Sequence, residues 1–151
     1  MNNVTDDVMT RTATARDLSA VQSLLRAADL PLDGVTDFFP DNYAVAQRGN
    51  EVVGAIGVER YGEHGLLRSA VVTPSMRGAG LGAQLTRERL AWCRRQGLAD
   101  VFLLTTTAAP FFERIGFSRV DRASVPAELA GAPEFASICP STAVVMRLPL
   151  T

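Results

Sequence analysis

Apolar positions along the chain switch repeatedly between a period of two and a period near 3.6, and each switch marks an element. Residues 1–8 read as a disordered tail, and 9–151 as one domain. Thr10 to Ala13 is a short strand. Thr14, Ala15, Arg16 and Asp17 have the spacing of a capping box, and Leu18, Val21, Leu24 and Leu25 follow at helical intervals. That helix is expected to reach about Ala28 and to stop before Pro31. Thr36 to Phe39 has room for a single turn, which Pro40 ends. Tyr43 to Gln47, the turn at Gly49-Asn50, and Val52 to Val58 form a β-hairpin. Gly62 and Gly65 bracket a break before a third run, Leu66 to Val72.

A glycine-rich turn then opens into a helix from Leu81 to Gln96, with Gly97 suited to the position after its C-terminus. Val101 to Leu104 is continuously apolar, as in a strand buried on both faces. Ala108 to Ile115 is a short helix stopped by Gly116, and Phe117 to Val120 and Val144 to Leu148 are the last two strands. Pro126 to Ser141 is a long connection carrying Pro126, Pro133 and Pro140, and loops of that length are often functional. The order β-α-(short α)-β-β-β-α-β-α-β-β predicts an α/β fold, with a mixed sheet and helices on both faces.

Composition changes this picture little. A length of 151 residues suffices for a core without disulfides or metals. The net charge of −1 offers no electrostatic case for nucleic acid or a membrane surface as the main partner. No apolar run approaches the ~20 residues that span a bilayer. The start of the chain lacks a signal-peptide core. Cys93 and Cys139 make no disulfide framework, and free thiols fit a reducing compartment, so a cytoplasmic location is expected. One cysteine in a helix and one in a distant loop also leave no thiol site for a metal or for arsenite.

The candidate chemistry lies in Val71-Val72-Thr73-Pro74-Ser75-Met76-Arg77-Gly78-Ala79-Gly80-Leu81-Gly82. Glycines permit close backbone approach to a ligand, and the following helix start offers unpaired amides and a positive dipole end. Such a turn seats phosphate. It is no Walker loop, which would end in Gly-Lys-Ser/Thr rather than Leu81-Gly82-Ala83. Nor is it a Rossmann site, because Asp100 stands at the start of the next strand instead of its end.

Arg77-Gly78-Ala79-Gly80-Leu81-Gly82 after Val72-Thr73-Pro74 resembles the Arg/Gln-x-x-Gly-x-Gly/Ala motif of the GCN5-related N-acetyltransferase superfamily. The element order and Ile115-Gly116-Phe117 extend that resemblance from about Thr10 to Leu150. It implies six to seven mostly antiparallel strands and acetyl-CoA as cosubstrate. It also implies coenzyme contacts from Ala70, Val71, Val72, Arg77, Gly78, Ala79, Gly80, Leu81, Gly82 and Ala83, and from Thr106, Phe111 and Phe112. The expected partner is a small-molecule amine, and a homodimer is common among superfamily members.

Amine attack on a thioester needs a donor for the carbonyl oxygen, and the backbone N–H of Val72 is the expected one. It also needs a base, for which Glu59 and Glu63 acting through water are the candidates. The tyrosine that many superfamily members place four residues before the Gly of Gly-Phe is Phe112 here. The general acid is then another group, with Ser141, Cys139 and Thr106 as candidates, or a water, or is dispensable because a thiolate is a tolerable leaving group. Alternation puts Leu66, Arg68, Ala70 and Val72 on one strand face, and a charge among aliphatics needs a partner. Arg68 then pairs either with a protein carboxylate or with an acceptor carboxylate, and the second is adopted. Ser137, Cys139 and Ser141 in the long connection are further candidates for contacting the acceptor. His64, between glycines, reads as a solvent-exposed turn residue.

Leu66-Leu-Arg-Ser-Ala-Val-Val72, Leu103-Leu-Thr-Thr-Thr-Ala108, Phe111-Phe112 and Glu134-Phe-Ala-Ser-Ile-Cys-Pro140 together resemble the arsenic-resistance N-acetyltransferases. Leu104-Thr-Thr, Phe112-Glu-Arg-Ile-Gly-Phe-Ser and Val120-Asp more distantly resemble the acetyltransferase domain of N-acetylglutamate synthase. Both imply amino-acid-type acceptors, and the first implies a glutamate-like arsenical and a link to arsenic resistance. A general amino-acid N-acetyltransferase and a non-catalytic acetyl-CoA sensor are the rival readings.

Overall fold

The computed structural model describes residues 8–133, 135 and 142–150. Ser137, Cys139 and Ser141, and residues 1–7 of the expected tail, lie outside them. Seven strands are hydrogen-bonded in the order β1-β2-β3-β4-β5-β7-β6. They are β1 (Val8–Thr12), β2 (Tyr43–Arg48), β3 (Glu51–Tyr61), β4 (His64–Val72), β5 (Asp100–Thr105), β6 (Ser118–Val120) and β7 (Val144–Pro149). The helices are α1 (Leu18–Ala27), α2 (Val35–Phe38), α3 (Leu81–Arg95), α4 (Ala109–Ile115) and α5 (Ala127–Ala130).

The chain clusters into two compact units, Met1–Val58 with Ser69–Ala91, and Glu59–Arg68 with Trp92–Thr151. In the first, β1 and β3 flank β2 antiparallel, with Tyr43 opposite Gly57 and Val45 opposite Ala55. Its core is Ala13, Val21, Leu25, Val35, Tyr43, Val45, Ala55 and Val71. Val21 and Leu25 sit four residues apart on α1, the spacing that puts two side chains on one helix face. Each fully buried aliphatic of this kind contributes about 1.5–3 kcal/mol.

The entry to α1 matches its sequence signal. The Asp17 carboxylate accepts from the Thr14 amide at 2.7 Å, closing the box that Thr14 and Asp17 predict. Arg11 of β1 adds two bonds to the same carboxylate, at 2.8 and 3.0 Å. This bonding to Arg11, ahead of the opposing effect of burial, holds Asp17 below the usual carboxylate range.

In the second unit, β4 runs parallel to β5 from His64↔Asp100 to Leu66↔Phe102, and β7 lies antiparallel between β5 and β6. Leu66, Phe102, Leu129, Ala132 and Val145 form its core. Asp100 at the start of β5 ties in β4 and β7, with Oδ1 2.6 Å from Nδ1 of His64 and Oδ2 accepting from Nε of Arg147 at 2.9 Å. His64 is therefore held at the first residue of β4 with its side chain 18% exposed, and is not the open turn residue its glycine neighbours suggest.

Other boundaries also moved. The tail expected over 1–8 gives way to strand at Val8, two residues before the expected start. The break after β3 is shorter than expected, because Gly62 and Glu63 alone separate β3 from β4. A 3-10 turn at Arg122–Ser124 precedes the long connection, and α5 occupies its first residues.

Candidate functional site

In the first unit, β4 ends at Val72 and a short 3-10 turn, Pro74–Met76, leads into the glycine segment. Met76 is buried and anchors that turn, whereas Arg77, Gly78, Ala79 and Gly80 are all exposed. Gly78 has φ +86° and Gly80 φ +80°, left-handed conformations that favour glycine. A Cβ built on either would meet nothing within 4 Å, so the backbone borders open space. Leu81 is buried and fixes the first residue of α3, and the Gly80 carbonyl accepts from the Gln84 amide at 3.1 Å to start the helical ladder.

By helix geometry the amides of Leu81, Gly82 and Ala83 then have no acceptor within α3. The 15-residue helix concentrates a partial positive charge at this end. The Arg77 Nε donates to the Val72 carbonyl at 3.3 Å, laying a guanidinium between strand end and turn. The segment thus has the parts of a phosphate cradle: exposed backbone, helix amides and a fixed cation. It fits the diphosphate of a coenzyme, and residues Arg77 to Ala83 would hold it.

Upstream of Val72 the strand is not regular. Ser69 has φ +58°, a left-handed residue inside the stretch Leu66 to Val72 whose alternation the sequence predicts. Ala70 is exposed and Val71 buried, and Val72 is half-buried. A residue in left-handed conformation rotates the following peptide planes, so every second position no longer shares a face. Ser69 is held by Tyr43, whose hydroxyl is 3.2 Å from the Ser69 Oγ. Neither residue stood out in the sequence. Serine carries no strong signal for a positive φ, and Tyr43 looks like any strand aromatic until its partner on β3, Gly57, is known.

In the second unit, Arg68 donates from Nη1 to the Glu59 Oε2 at 2.6 Å, and the two side chains are 1% and 2% exposed. Tyr61 donates its hydroxyl to the other Glu59 oxygen, also at 2.6 Å. Of the two partners the sequence left open for Arg68, the structure supplies a protein carboxylate. Glu59, a candidate base, is engaged at both oxygens. Glu63, the other candidate, is exposed in the turn entering β4, whereas Val72 ends that strand.

Thr106 is exposed just after β5. Phe111 and Phe112 lie on α4, with ring centroids 5.0 Å apart, and Phe112 meets Phe117 edge-on at 5.7 Å. Phe112 is buried in this aromatic cluster. Where a tyrosine would need a polar partner, phenylalanine fills the position with apolar contact alone.

Residues 40–119, just over half of the chain, match the model of the acetyltransferase (GNAT) domain. An amino-acid acetyltransferase of Enterobacter sp. (strain 638) is 27% identical over 126 residues, covering 77% of this chain and 28% of that protein. N-acetylglutamate synthase from Neisseria gonorrhoeae, complexed with coenzyme A and N-acetyl-glutamate, superposes with a TM-score of 0.82 at 15% identity. That match covers 95% of this chain and 35% of the synthase chain, and shows the shared fold. Rv2747 from Mycobacterium tuberculosis, in complex with CoA and NLQ, gives a TM-score of 0.79 at 25% identity, covering 95% of this chain and 99% of the other. The chain thus spans about a third of the first two proteins and nearly all of the third.

Proposed function

Because the chain belongs to the GNAT family of acetyl-CoA-dependent acetyltransferases, we propose that it acetylates the primary amine of a small, carboxylate-bearing acceptor of the amino-acid type. One observation carries this reading. The exposed Arg77–Gly80 turn, with left-handed glycines at 78 and 80 and open space beside both, leads directly into α3. Acetyl-CoA supplies the activated acetyl group. Backbone amides at the start of α3 bind its diphosphate, Arg77 adds charge, and the Val72 amide is the donor aimed at the acyl oxygen.

The acceptor class draws support from the amino-acid acetyltransferase relative and from Arg68. Arg68 is the proposed contact for the acceptor carboxylate, with Glu59 bound at its Nη1. Glu59 fixes its angle, which gives a bidentate carboxylate contact its selectivity. Of the two candidate bases acting through water, Glu59 is engaged at both oxygens by Arg68 and Tyr61, whereas Glu63 is exposed. Within the amino-acid class, the resemblance to the arsenic-resistance enzymes favours glutamate and its arsenical analogue arsinothricin.

A thiol-release assay with acetyl-CoA and a panel of amines tests this. Turnover with amino acids but not with simple alkylamines is the expected result. Acetylation of glutamate without its arsenical analogue would remove the arsenic link. Tight coenzyme binding with no turnover on any amine would favour a sensor instead. Within the same assay, Arg68→Lys is expected to raise KM for carboxylate-bearing acceptors about tenfold or more, since lysine cannot reproduce a planar fork. Unchanged acceptor kinetics would remove Arg68 from the acceptor site.

A further inference from the structure

We infer that Tyr43 is a positioning residue: its buried hydroxyl, reaching across Gly57, holds Ser69 in the left-handed kink that aims the Ala70–Val72 backbone at the acyl group. The inference deepens the acetyltransferase reading and rests on it.

Tyr43 is wholly buried, and a buried phenol needs a hydrogen-bond partner. That partner is the Ser69 Oγ on β4, while Tyr43 itself is on β2. The intervening strand must let the ring pass. Gly57 lies directly opposite Tyr43 in the β2–β3 ladder, and a Cβ there would fall 2.3–2.6 Å from three atoms of the Tyr43 ring. Glycine at 57 is therefore the condition for the crossing. Phe39 packs on the same ring at 5.2 Å between centroids and restricts its swing.

The far end of this brace is the one non-glycine residue with positive φ among the described strand residues. A left-handed conformation costs an L-residue about 1–2 kcal/mol, and such strain persists only where surroundings over-determine it. Ser69 lies three residues before Val72, so its dihedrals set the direction of the peptide planes that lead to the proposed donor.

Calorimetric titration of CoA and of acetyl-CoA separates positioning from mere packing. Tyr43→Phe keeps the ring and removes the hydroxyl, and Ser69→Ala removes the other half of the contact. Both variants are expected to bind CoA within twofold of the wild-type chain. The tighter binding of acetyl-CoA over CoA should shrink about three- to tenfold in each, the scale of one hydrogen bond. The double variant should lose no more than either single one, because one contact serves both.

Variants that melt lower but keep the full acetyl preference would overturn the inference, as would additive losses. A wild-type chain that binds CoA no less tightly than acetyl-CoA would also overturn it, leaving the coenzyme site intact. Absence of CoA binding to the wild-type chain would overturn the acetyltransferase reading, and this inference with it.

Discussion

At the scale of single residues, burial decides what a charge is for. Arg68 stood out because a guanidinium in an aliphatic strand is costly alone. Its partner did not, because Glu59 is nine positions earlier and only the β3–β4 hairpin brings it near. The pair is almost fully enclosed, and Tyr61 completes the Glu59 carboxylate. Breaking one side of such a pair leaves an uncompensated buried charge, at about 3–5 kcal/mol. Arg68→Met is therefore expected to lower unfolding free energy in urea by that amount, and adding Glu59→Gln should recover a large part. A single-variant loss below about 1 kcal/mol would show the pair to be solvated. The same logic separates the two aromatic hydroxyls. Tyr43 and Tyr61 both look like ordinary strand aromatics, and their hydroxyls prove to bond Ser69 and Glu59.

At the scale of elements, local signals were the most legible. The Thr14–Asp17 box was readable because capping is a contact between near neighbours in sequence. Arg11 was not, since it comes from β1. Asp17 has a folded pKa below its ordinary value, so its stabilising effect is complete above the unfolded carboxyl pKa near 4. It is lost as pH falls through the lower folded value. Asp17→Asn should cost about 1 kcal/mol at pH 7, and its difference from the parent chain should narrow below about pH 4 in denaturation profiles. A constant difference down to pH 2 would contradict the ion pair's role. The glycine turn was likewise readable from spacing. Gly80→Ala meets no steric block, so its folding cost should be only the left-handed penalty of about 1–2 kcal/mol. Coenzyme affinity should fall much further, at least tenfold by calorimetry, because the new methyl occupies the space the ligand needs. Equal affinity would remove the turn from the site.

At the scale of the whole molecule, the element order was nearly complete in the sequence, but the strand order was not. Val101–Leu104 read as a strand buried on both faces, but nothing along the chain named the strands at its edges. The last strand, β7, inserts between β5 and β6, and β4 and β5 run parallel although β2 pairs antiparallel with both β1 and β3. Acetyl-CoA at a hundred times its Kd should stabilise the folded chain by about 2.7 kcal/mol. For a chain of this size that raises Tm by roughly 5–10 °C. A melt unmoved by saturating acetyl-CoA would contradict the function proposed above.

What the amino-acid sequence determined by itself is what neighbouring residues decide among themselves: the periods of the elements, the cap at Thr14, and the glycines that open α3. Only tertiary structure decided the partner of Arg68, the left-handed turn at Ser69, and the passage of Tyr43 over Gly57. The reason lies in range. Dihedral preference and helix spacing act within a few residues, whereas a buried charge or a strained backbone is stabilised by groups that are neighbours only after strands have taken their register.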